Sequence, residues 1–289
     1  MNNNQLLNLI SDIERCIDSL GVMYRIFYRE KSSHSLSEKI NKDPEKYNAN
    51  KKIQDIIGVR VALYFVDDID VVRNALQEKF QFIPEDSQID NPTVETFSAT
   101  RCNLVFRLPD SFSISEIVEA RHQAIIDNTF ELQLRTILSE GWHEVDHDLR
   151  FKCKGDWIGL DKENRAFNGV YATLETSEWT LLKLFEELSY THYKNKNVKA
   201  MLINKLRLRL KPSNKDDEVL EYLKVNEKLI KQIFRYDRDS ILKHLSTRPK
   251  LPLSISNIIF IMNVDSFNDH GLNEMTPSLL RNWWESSSI

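Results

Sequence analysis

Three clusters of charged and polar side chains have the residue types of a site that binds phosphate groups and a metal. The first is the basic segment Arg29-x-Lys31-x-x-x-Ser35-x-x-x-Lys39, with a helix predicted from about Ser32. Arginine forks chelate phosphate oxygens and lysine supplies a compact point charge, so this segment could grip a polyphosphate. The alternative is a charged helix face that only contacts solvent, and charge alone favours it.

The second and third clusters place carboxylates on predicted strands. Asp55 stands at the head of a buried segment that contains Arg60, and both charges are costly to bury unless each meets a partner, a metal or a ligand. Glu131, Gln133 and Arg135 alternate with apolar residues and so share one strand face. If that strand lies beside Asp55, two carboxylates face a shared Mg²⁺, which takes oxygen ligands from carboxylates and substrate phosphates. The alternatives are a structural pair between Asp55 and Arg60 and a solvated sheet face.

A short histidine pattern suggests a different chemistry. His143 and His147 enclose a glutamate in the order H-E-x-x-H, which on a helix could bind zinc with the glutamate as base. Asp146 adds a charge beside that base, and Glu163 and Glu175 are weak candidates for a third ligand. We interpret the match as accidental, because so short a pattern arises often by chance.

Hydrophobic periodicity predicts the elements that must hold these clusters. Apolar residues spaced three and four apart indicate helices, whereas β-branched runs and strict alternation indicate strands. Strands are predicted over residues 56–65, 102–109 and 130–136, and helices over residues 6–20, 69–80, 137–150 and 162–190. Strands interleaved with helices predict an α/β (α+β) fold, a mixed β-sheet flanked by helices, with a small helical C-terminal region.

Composition excludes several classes of protein. The 289 residues are 41% hydrophobic and 28% charged, as in ordinary globular proteins, and the net charge of −4 means that any nucleic-acid site must be local. Seven glycines, without a G-x-G-x-x-G or G-x-x-x-x-G-K-[ST] motif, leave Rossmann and P-loop chemistry unsupported.

Cysteine usage and the chain start predict the compartment. Three widely spaced cysteines without a C-x-x-C pair indicate neither a disulfide framework nor a thiolate zinc site. The start lacks the pattern of a signal peptide, and no apolar run is long enough to span a bilayer. We therefore expect a cytoplasmic protein without a membrane partner.

In chain order, the clusters resemble the synthetase domain of the RelA/SpoT family, the bacterial alarmone pyrophosphokinases. The likeness covers roughly residues 5–190. The family's motifs fall on Arg29, Lys31, Ser35 and Lys39; on Asp55, Gly58 and Arg60, followed by Asp67, Asp68 and Ile69; on Glu131, Gln133, Arg135 and Thr136; and on Trp142, Asp146, His147, Leu149, Phe151 and Lys152. Each motif alone is weak, but four in this order are specific, and they account for the helix that carries the H-E-x-x-H pattern.

The resemblance implies a nucleotidyltransferase-like domain that transfers pyrophosphate from ATP to the 3′-hydroxyl of an acceptor nucleotide and releases AMP. It implies that Asp55 and Glu131 are catalytic and hold Mg²⁺, and that Glu131 takes the proton from the attacking hydroxyl. The residues expected to bind ATP are Arg29, Lys31, Ser35, Lys39, Arg60 and Arg135. Those expected on the acceptor side are Arg101, Asn103, Gln133, His147 and Lys152.

The sequence departs from the family at the loop that binds the acceptor base. Relatives that use GDP or GTP carry Y-R-S-x-H, whose tyrosine stacks on guanine, whereas residues 97–104 contain neither tyrosine nor histidine. Phe97 could replace the stacking ring, but the simplest inference is an altered or lost guanine site. GDP or GTP, an adenine nucleotide and the 3′ end of a tRNA stay open as acceptors. The alternative hypothesis is a catalytically silent nucleotide-binding regulatory protein.

The C-terminal part of the chain differs in composition. We predict a RelA/SpoT-like synthetase domain over residues 1–192 and a helical region over residues 193–289 that is regulatory or binds a partner, including a second copy. Residues 194–211 hold seven Lys or Arg and no acid, which suits RNA contact or a solvated surface, and alternation over residues 205–211 fits an edge strand. From the resemblance alone, the biological role could be that of a growth-arrest toxin or a defence effector.

Overall fold

A mixed five-stranded sheet organises the part of the chain that the computed structural model describes, which is residues 4–42, 47, 52–90, 101–114, 118, 120–247 and 252–286. The strands are β1 (Tyr24–Glu30), β2 (Ile57–Leu63), β3 (Gln88–Ile89), β4 (Cys102–Arg107) and β5 (Thr129–Thr136). Their order across the sheet is β1-β2-β5-β4-β3. β2 and β5 are parallel, and the other neighbouring pairs are antiparallel.

Twelve α-helices precede, separate and follow these strands in the described part of the chain. The first five are α1 (Asn4–Leu20), α2 (Ser33–Lys42), α3 (Asp68–Lys79), α4 (Ile137–Val145), which continues into a π-helical turn (Asp146–Phe151), and α5 (Asp161–Lys194). The C-terminal helices are α6 (Val198–Leu206), α7 (Asp216–Lys224), α8 (Glu227–Arg235), α9 (Arg238–Ser246), α10 (Ile255–Met262), α11 (His270–Met275) and α12 (Ser278–Ser286). The predicted mixed sheet with flanking helices and a helical C-terminal region is confirmed.

The chain divides into two compact units. One comprises Met1–Ile17 and Tyr24–Glu178, and the other comprises Asp18–Met23 and Trp179–Ile289. The first contains the sheet and the second contains α6 to α12. The division falls within α5, and the domain boundary at residue 192 stays a prediction. No helix within the described ranges is long and apolar enough to cross a membrane.

The core of the first unit covers the apolar face of the sheet. Val59 and Leu132 lie on neighbouring strands and are almost fully buried, as is Leu76 on α3. The rings of Phe106 on β4 and Phe130 on β5 stack with their centroids 5.4 Å apart. Because successive strand side chains point to opposite faces, this packing commits the alternate, polar residues to the other face.

Two elements differ from the sequence predictions for identifiable reasons. β1 was not predicted because it is an edge strand with a largely exposed surface, so it lacks alternating apolar residues. The edge strand over residues 205–211 is absent from the described structure: α6 ends at Leu206, and Arg207 follows in the left-handed conformation with φ 52°. Leu206 and Leu208 are buried although no strand forms there, and Arg207 between them is buried too, so the alternating sequence does not correspond to alternating burial.

The buried phenylalanine pair gives a stability prediction. Phe130→Ala should lower the free energy of unfolding by about 3–5 kcal/mol, because Phe130 is 0% exposed and its loss leaves a cavity. Ile158→Ala, at a residue 81% exposed, should change it by less than about 0.5 kcal/mol. Urea unfolding followed by circular dichroism compares the two variants. Equal effects would show that this ring pair is not part of the core.

Candidate active site

The parallel pairing of β2 with β5 gathers polar side chains on one face of the sheet. In the register of this pair, Gly58 lies opposite Glu131, Arg60 opposite Gln133, and Ala62 opposite Arg135. Residues directly opposite each other share a face. The two motifs that the sequence placed on separate strands therefore form one surface.

The neighbouring strands widen this surface. On β1, Phe27 lies opposite Arg60 and Arg29 lies opposite Gly58. On β4, Asn103 lies opposite Gln133. A β-carbon added at Gly58 would lie 3.8 Å from the Arg29 side chain, so Arg29 extends across the sheet over this glycine.

A cavity of about 460 Å³ opens on this face. The predicted site residues that line it are Arg29, Asp55, Arg60, Glu131, Gln133, His147 and Lys152. Phe27, Tyr28, Glu140, Glu144 and Asp148 also line it. Both carboxylates expected to act in catalysis thus face one cavity with predicted nucleotide-binding cations.

Asp55 holds two lysines of the basic segment. Lys31 Nζ lies 2.6 Å from Asp55 Oδ2, and Lys39 Nζ lies 2.8 Å from Asp55 Oδ1. Lys31 follows β1 and its backbone N–H donates to Ile56 O, whereas Lys39 comes from α2. Asp55 therefore pairs with these lysines, and Arg60 pairs elsewhere, so the structural Asp55–Arg60 pair does not form.

These ion pairs shift the pKa values of all three groups. Burial alone would raise the pKa of Asp55, but hydrogen bonds from Lys31 and Lys39 outweigh it and lower that pKa. Burial lowers the pKa of Lys31 despite its bond to Asp55. Burial also acts to lower the pKa of Lys39, but the hydrogen bond to Asp55 and the negative charge of Asp55, with smaller contributions from Tyr47 and Lys31, together raise it. Asp55 is consequently held as a carboxylate with cations on both oxygens.

Ser35 lies in the first turn of α2. Its backbone N–H donates to Ser32 Oγ at 3.2 Å, and the Oγ atoms of the two serines are 3.0 Å apart. Ser32 therefore caps the start of the helix. Ser35 does not line the cavity, and neither do Lys31 and Lys39.

The guanidinium groups of Arg60 and Arg135 meet acids on α4. Arg60 Nη1 lies 2.6 Å from Glu140 Oε1 and also contacts Glu144, and Arg60 Nε donates to Gln133 Oε1 at 3.3 Å. Arg135 Nη1 lies 3.1 Å from Glu140 Oε2. Gln133 in turn donates through Nε2 to Glu131 Oε1 at 2.8 Å. One network of contacts thus connects both strands with the helix that follows β5.

The π-helical turn contributes residues on the predicted acceptor side. His147 Nδ1 lies 3.0 Å from Asp148 Oδ1, and Lys152 Nζ donates to the same oxygen at 2.7 Å. Hydrogen bonds from Lys152 and His147 lower the pKa of Asp148. The ring of His147 also stacks on Phe151, with centroids 6.0 Å apart and an interplanar angle of 12°.

Of two other predicted acceptor residues, Asn103 lies on β4 and Arg101 directly precedes it. Asn103 is on the site face of the sheet, whereas Arg101 forms an ion pair with Asp90, with 2.8 Å between Arg101 Nε and Asp90 Oδ2. Neither residue lines the cavity. The part of the acceptor loop that contains Phe97 lies outside the described residues, so the proposed replacement of the guanine-stacking ring stays a prediction.

The environment of His143 does not favour a zinc site. Its ring packs against Trp142 and Tyr171, with centroid distances of 5.3 and 5.9 Å. Burial, followed by the positive charges of Arg135 and Arg60, lowers the pKa of His143 to about 4. Within the described ranges, no three His, Cys, Asp or Glu side chains gather as a metal-binding group.

Sequence reasoning missed Glu140 as part of the site and considered Glu144 only as a base in the zinc pattern. The available signal was the spacing of two acids four residues apart on the helix that directly follows β5. Residues at this spacing lie on one helix face, so both can reach back over the strand ends. Their arginine partners could not be identified without the register of the sheet.

The lysine pairs of Asp55 predict a pH-dependent contribution to stability. Asp55→Asn should lower the free energy of unfolding at pH 7 by about 1–2 kcal/mol, because both lysines lose a charged acceptor. The lower folded-state pKa means that this stabilisation is present above the ordinary carboxyl pKa and is lost as the pH falls through the folded value. Urea unfolding between pH 7 and pH 3 should show the two proteins converging in acid.

The control for this prediction is Asp12→Asn, which removes an exposed ion pair with Arg15 on α1. It should change the free energy of unfolding by less than about 0.5 kcal/mol. A difference between wild type and Asp55→Asn that did not depend on pH would contradict the proposed role of the ion pairs.

Comparisons with known proteins identify the region that contains this site. Residues 28–156 match the family model described as a region found in RelA / SpoT proteins. Over 128 residues, the chain is 27% identical to the GTP pyrophosphokinase YjbM of Bacillus subtilis (strain 168), a match that spans 44% of this chain and 56% of that relative.

Solved structures of small alarmone synthetases are also similar. Small alarmone synthetase 2 from Bacillus subtilis is 18% identical, with 64% of this chain and 92% of that chain covered and a TM-score of 0.46. Small alarmone synthetase 1 from the same organism, bound to its product pppGpp, is 18% identical, with 63% and 89% covered and a TM-score of 0.45. The family-model match over residues 28–156 confirms the resemblance to the RelA/SpoT family that the sequence motifs predict for this region.

Proposed function

We propose that this protein is a nucleotide pyrophosphokinase that transfers pyrophosphate from ATP to the 3′-hydroxyl of an acceptor nucleotide and releases AMP. The observation that carries the proposal is the position of Asp55 and Glu131, which line one cavity together with Arg29 and Arg60. Enzymes catalyse the transfer of phosphate groups mainly by positioning the two reactants and by offsetting the negative charge of the phosphates. Arginines and metal-binding carboxylates can serve both purposes.

The residues around Asp55 fit a divalent cation. Asp55 and Glu131 offer carboxylate oxygens to the same cavity, and Asp55 already attracts two ammonium groups. Mg²⁺ prefers such oxygen donors and shares them with substrate phosphates. When bound, Mg²⁺ would neutralise charge on the triphosphate and polarise it. The residues that would hold it are Asp55 and Glu131.

The basic residues have a consistent role on the donor side. Arg29 and Arg60 face the cavity, where their forks can bind phosphate oxygens. Lys31 and Lys39 are paired with Asp55 in this structure, so a cation bound to that carboxylate would release their charges for the triphosphate. Arg135, near the end of β5, and Ser35, in the first turn of α2, are proposed to bind ATP as well.

Glu131 is the proposed general base. Gln133 donates to one oxygen of its carboxylate, which fixes the orientation of the group on the sheet. A base must lie within hydrogen-bonding reach of the hydroxyl that it deprotonates, and Glu131 faces the cavity in which the acceptor would bind. His147, Lys152 and Gln133 line the same cavity and would provide polar contacts for the acceptor. Asn103, opposite Gln133 on β4, and Arg101, just before β4, are proposed to extend the acceptor side.

The name of the Bacillus subtilis relative makes GDP and GTP the first acceptors to test. ADP, ATP and deacylated tRNA belong in the same experiment, because the sequence lacks the guanine-stacking tyrosine. We also propose a role as a growth-arrest toxin or defence effector, and a regulatory role for residues 193–289.

A transfer assay tests the function. The purified protein is incubated with Mg²⁺, ATP labelled on its β- and γ-phosphates, and one acceptor at a time, with chromatographic detection of labelled product and AMP. We expect label on at least one acceptor and a loss of about 100-fold or more in Asp55→Asn and in Glu131→Gln, because each removes a charge that the reaction needs.

The matched control is Glu163→Gln, which changes an exposed glutamate at the start of α5 and should retain the wild-type rate. If ATP binds but label reaches none of the acceptors, the protein is a silent nucleotide-binding protein and the proposal fails. Equal rates in the wild type and both carboxylate variants would also contradict it.

A further inference from the structure

Glu140 lies between two arginines of the site. Its Oε1 is 2.6 Å from Arg60 Nη1, and its Oε2 is 3.1 Å from Arg135 Nη1. The Glu140 side chain is 11% exposed, so these ion pairs are formed largely away from water. Each carboxylate oxygen therefore holds one guanidinium group.

Local structure fixes the position of this carboxylate. β5 ends at Thr136, which is the N-cap of α4, and Thr136 and Ser139 form a reciprocal capping box. Glu140 follows in the first turn of the helix, five residues after Arg135. Arg60 comes from the parallel neighbour β2, where Ala62 lies opposite Arg135. Glu140 thus reaches cations of two strands from the rigid start of a helix.

Glu140 places a negative charge in a site that is proposed to bind a negatively charged polyphosphate. A carboxylate in such a cavity would repel the ligand, and burying it without partners would be costly. Here both oxygens are paired with guanidinium groups, whereas Asp55 and Glu131 are the carboxylates proposed for the metal. His143 does not compete as a cation, because burial and the two arginines lower its pKa to about 4.

The contacts of Arg60 restrict the orientation of its side chain. Nη1 meets both Glu140 and Glu144, and Nε donates to Gln133, so atoms on two edges of the guanidinium plane are held. A planar fork that is already oriented loses less entropy when it binds an oxyanion than a mobile side chain does.

We propose that Glu140 is a positioning residue, which holds the guanidinium groups of Arg60 and Arg135 in the orientation that receives the phosphates of the donor nucleotide. This inference rests on the proposed function for the identity of the ligand. The positioning itself is a property of the protein before any ligand binds.

The first readout uses the protein without nucleotide. In ¹⁵N-arginine NMR spectra, Arg60 and Arg135 should give sharp, slowly exchanging side-chain N–H signals, which Arg60→Lys and Arg135→Lys assign. Glu140→Gln should broaden or remove both signals. Glu144→Gln should leave the Arg135 signal intact, because Glu144 is 50% exposed and contacts Arg60. Unchanged signals in Glu140→Gln would overturn the proposal.

The second readout is calorimetric binding of a non-hydrolysable ATP analogue with Mg²⁺. Glu140→Gln should weaken binding about tenfold, because Glu140 makes two largely buried, charge-assisted bonds. Glu144→Gln should weaken it less than threefold, because Glu144 makes one exposed ion pair. In an Arg60→Lys background, Glu140→Gln should cause a much smaller further loss, because it acts through that arginine. Equal losses in the two glutamate variants, or fully additive losses with Arg60→Lys, would overturn the proposal.

Kinetics and folding controls separate positioning from general damage. Glu140→Gln should raise the KM for ATP with kcat changed less than threefold, Glu140→Asp should recover part of the affinity, and circular dichroism should show unchanged helix content. If Glu140→Gln does not fold, Glu140→Asp is compared instead: its shorter side chain should broaden the Arg60 and Arg135 signals in part, and signals as sharp as in the wild type would overturn the proposal. If the wild type transfers no label to any acceptor, the proposed function fails, while the NMR comparison still decides whether Glu140 orients the arginines.

Discussion

The parallel pairing of β2 with β5 is the constraint on which the whole site depends. It places Gly58 opposite Glu131 and Arg60 opposite Gln133, so motifs separated by about 70 residues form one surface. The buried alternate residues of both strands hold this register, because a slip by one residue would turn the charged side chains into the core and the apolar ones into solvent. The packing of the apolar face therefore determines which side chains lie together on the polar face.

The balance of charge explains how such a surface can be stable and still bind an anion. The described residues that line the cavity include five acids, Asp55, Glu131, Glu140, Glu144 and Asp148, and three bases, Arg29, Arg60 and Lys152. A polyphosphate would be repelled by this lining alone. We therefore expect it to bind together with a metal ion that occupies the carboxylates and frees the paired lysines, which is the arrangement that the proposed function requires.

The sequence predicts those features of the site that depend on neighbouring residues, and it does not predict those that depend on contacts between distant segments. β5 was predicted because its strict alternation is a property of adjacent residues, and the two catalytic candidates followed from the motifs. The edge strand β1 escaped prediction since its exposed surface, including Phe27, carries no such pattern. Glu140 was missed because its importance comes from two arginines on neighbouring strands, which only the sheet register brings together. The alternation over residues 205–211 was misleading because Leu206, Arg207 and Leu208 are all buried where α6 ends, without forming a strand.

We infer that the polar face of the β2–β5 pair binds the donor nucleotide through a metal held by Asp55 and Glu131. A crystal structure of the protein with Mg²⁺ and a methylene-bridged ATP analogue would test this inference. We expect a metal bound to both carboxylates, phosphates against Arg29 and Arg60, and Lys31 and Lys39 turned from Asp55 toward the triphosphate. A nucleotide bound elsewhere, with both lysines still paired to Asp55, would contradict it.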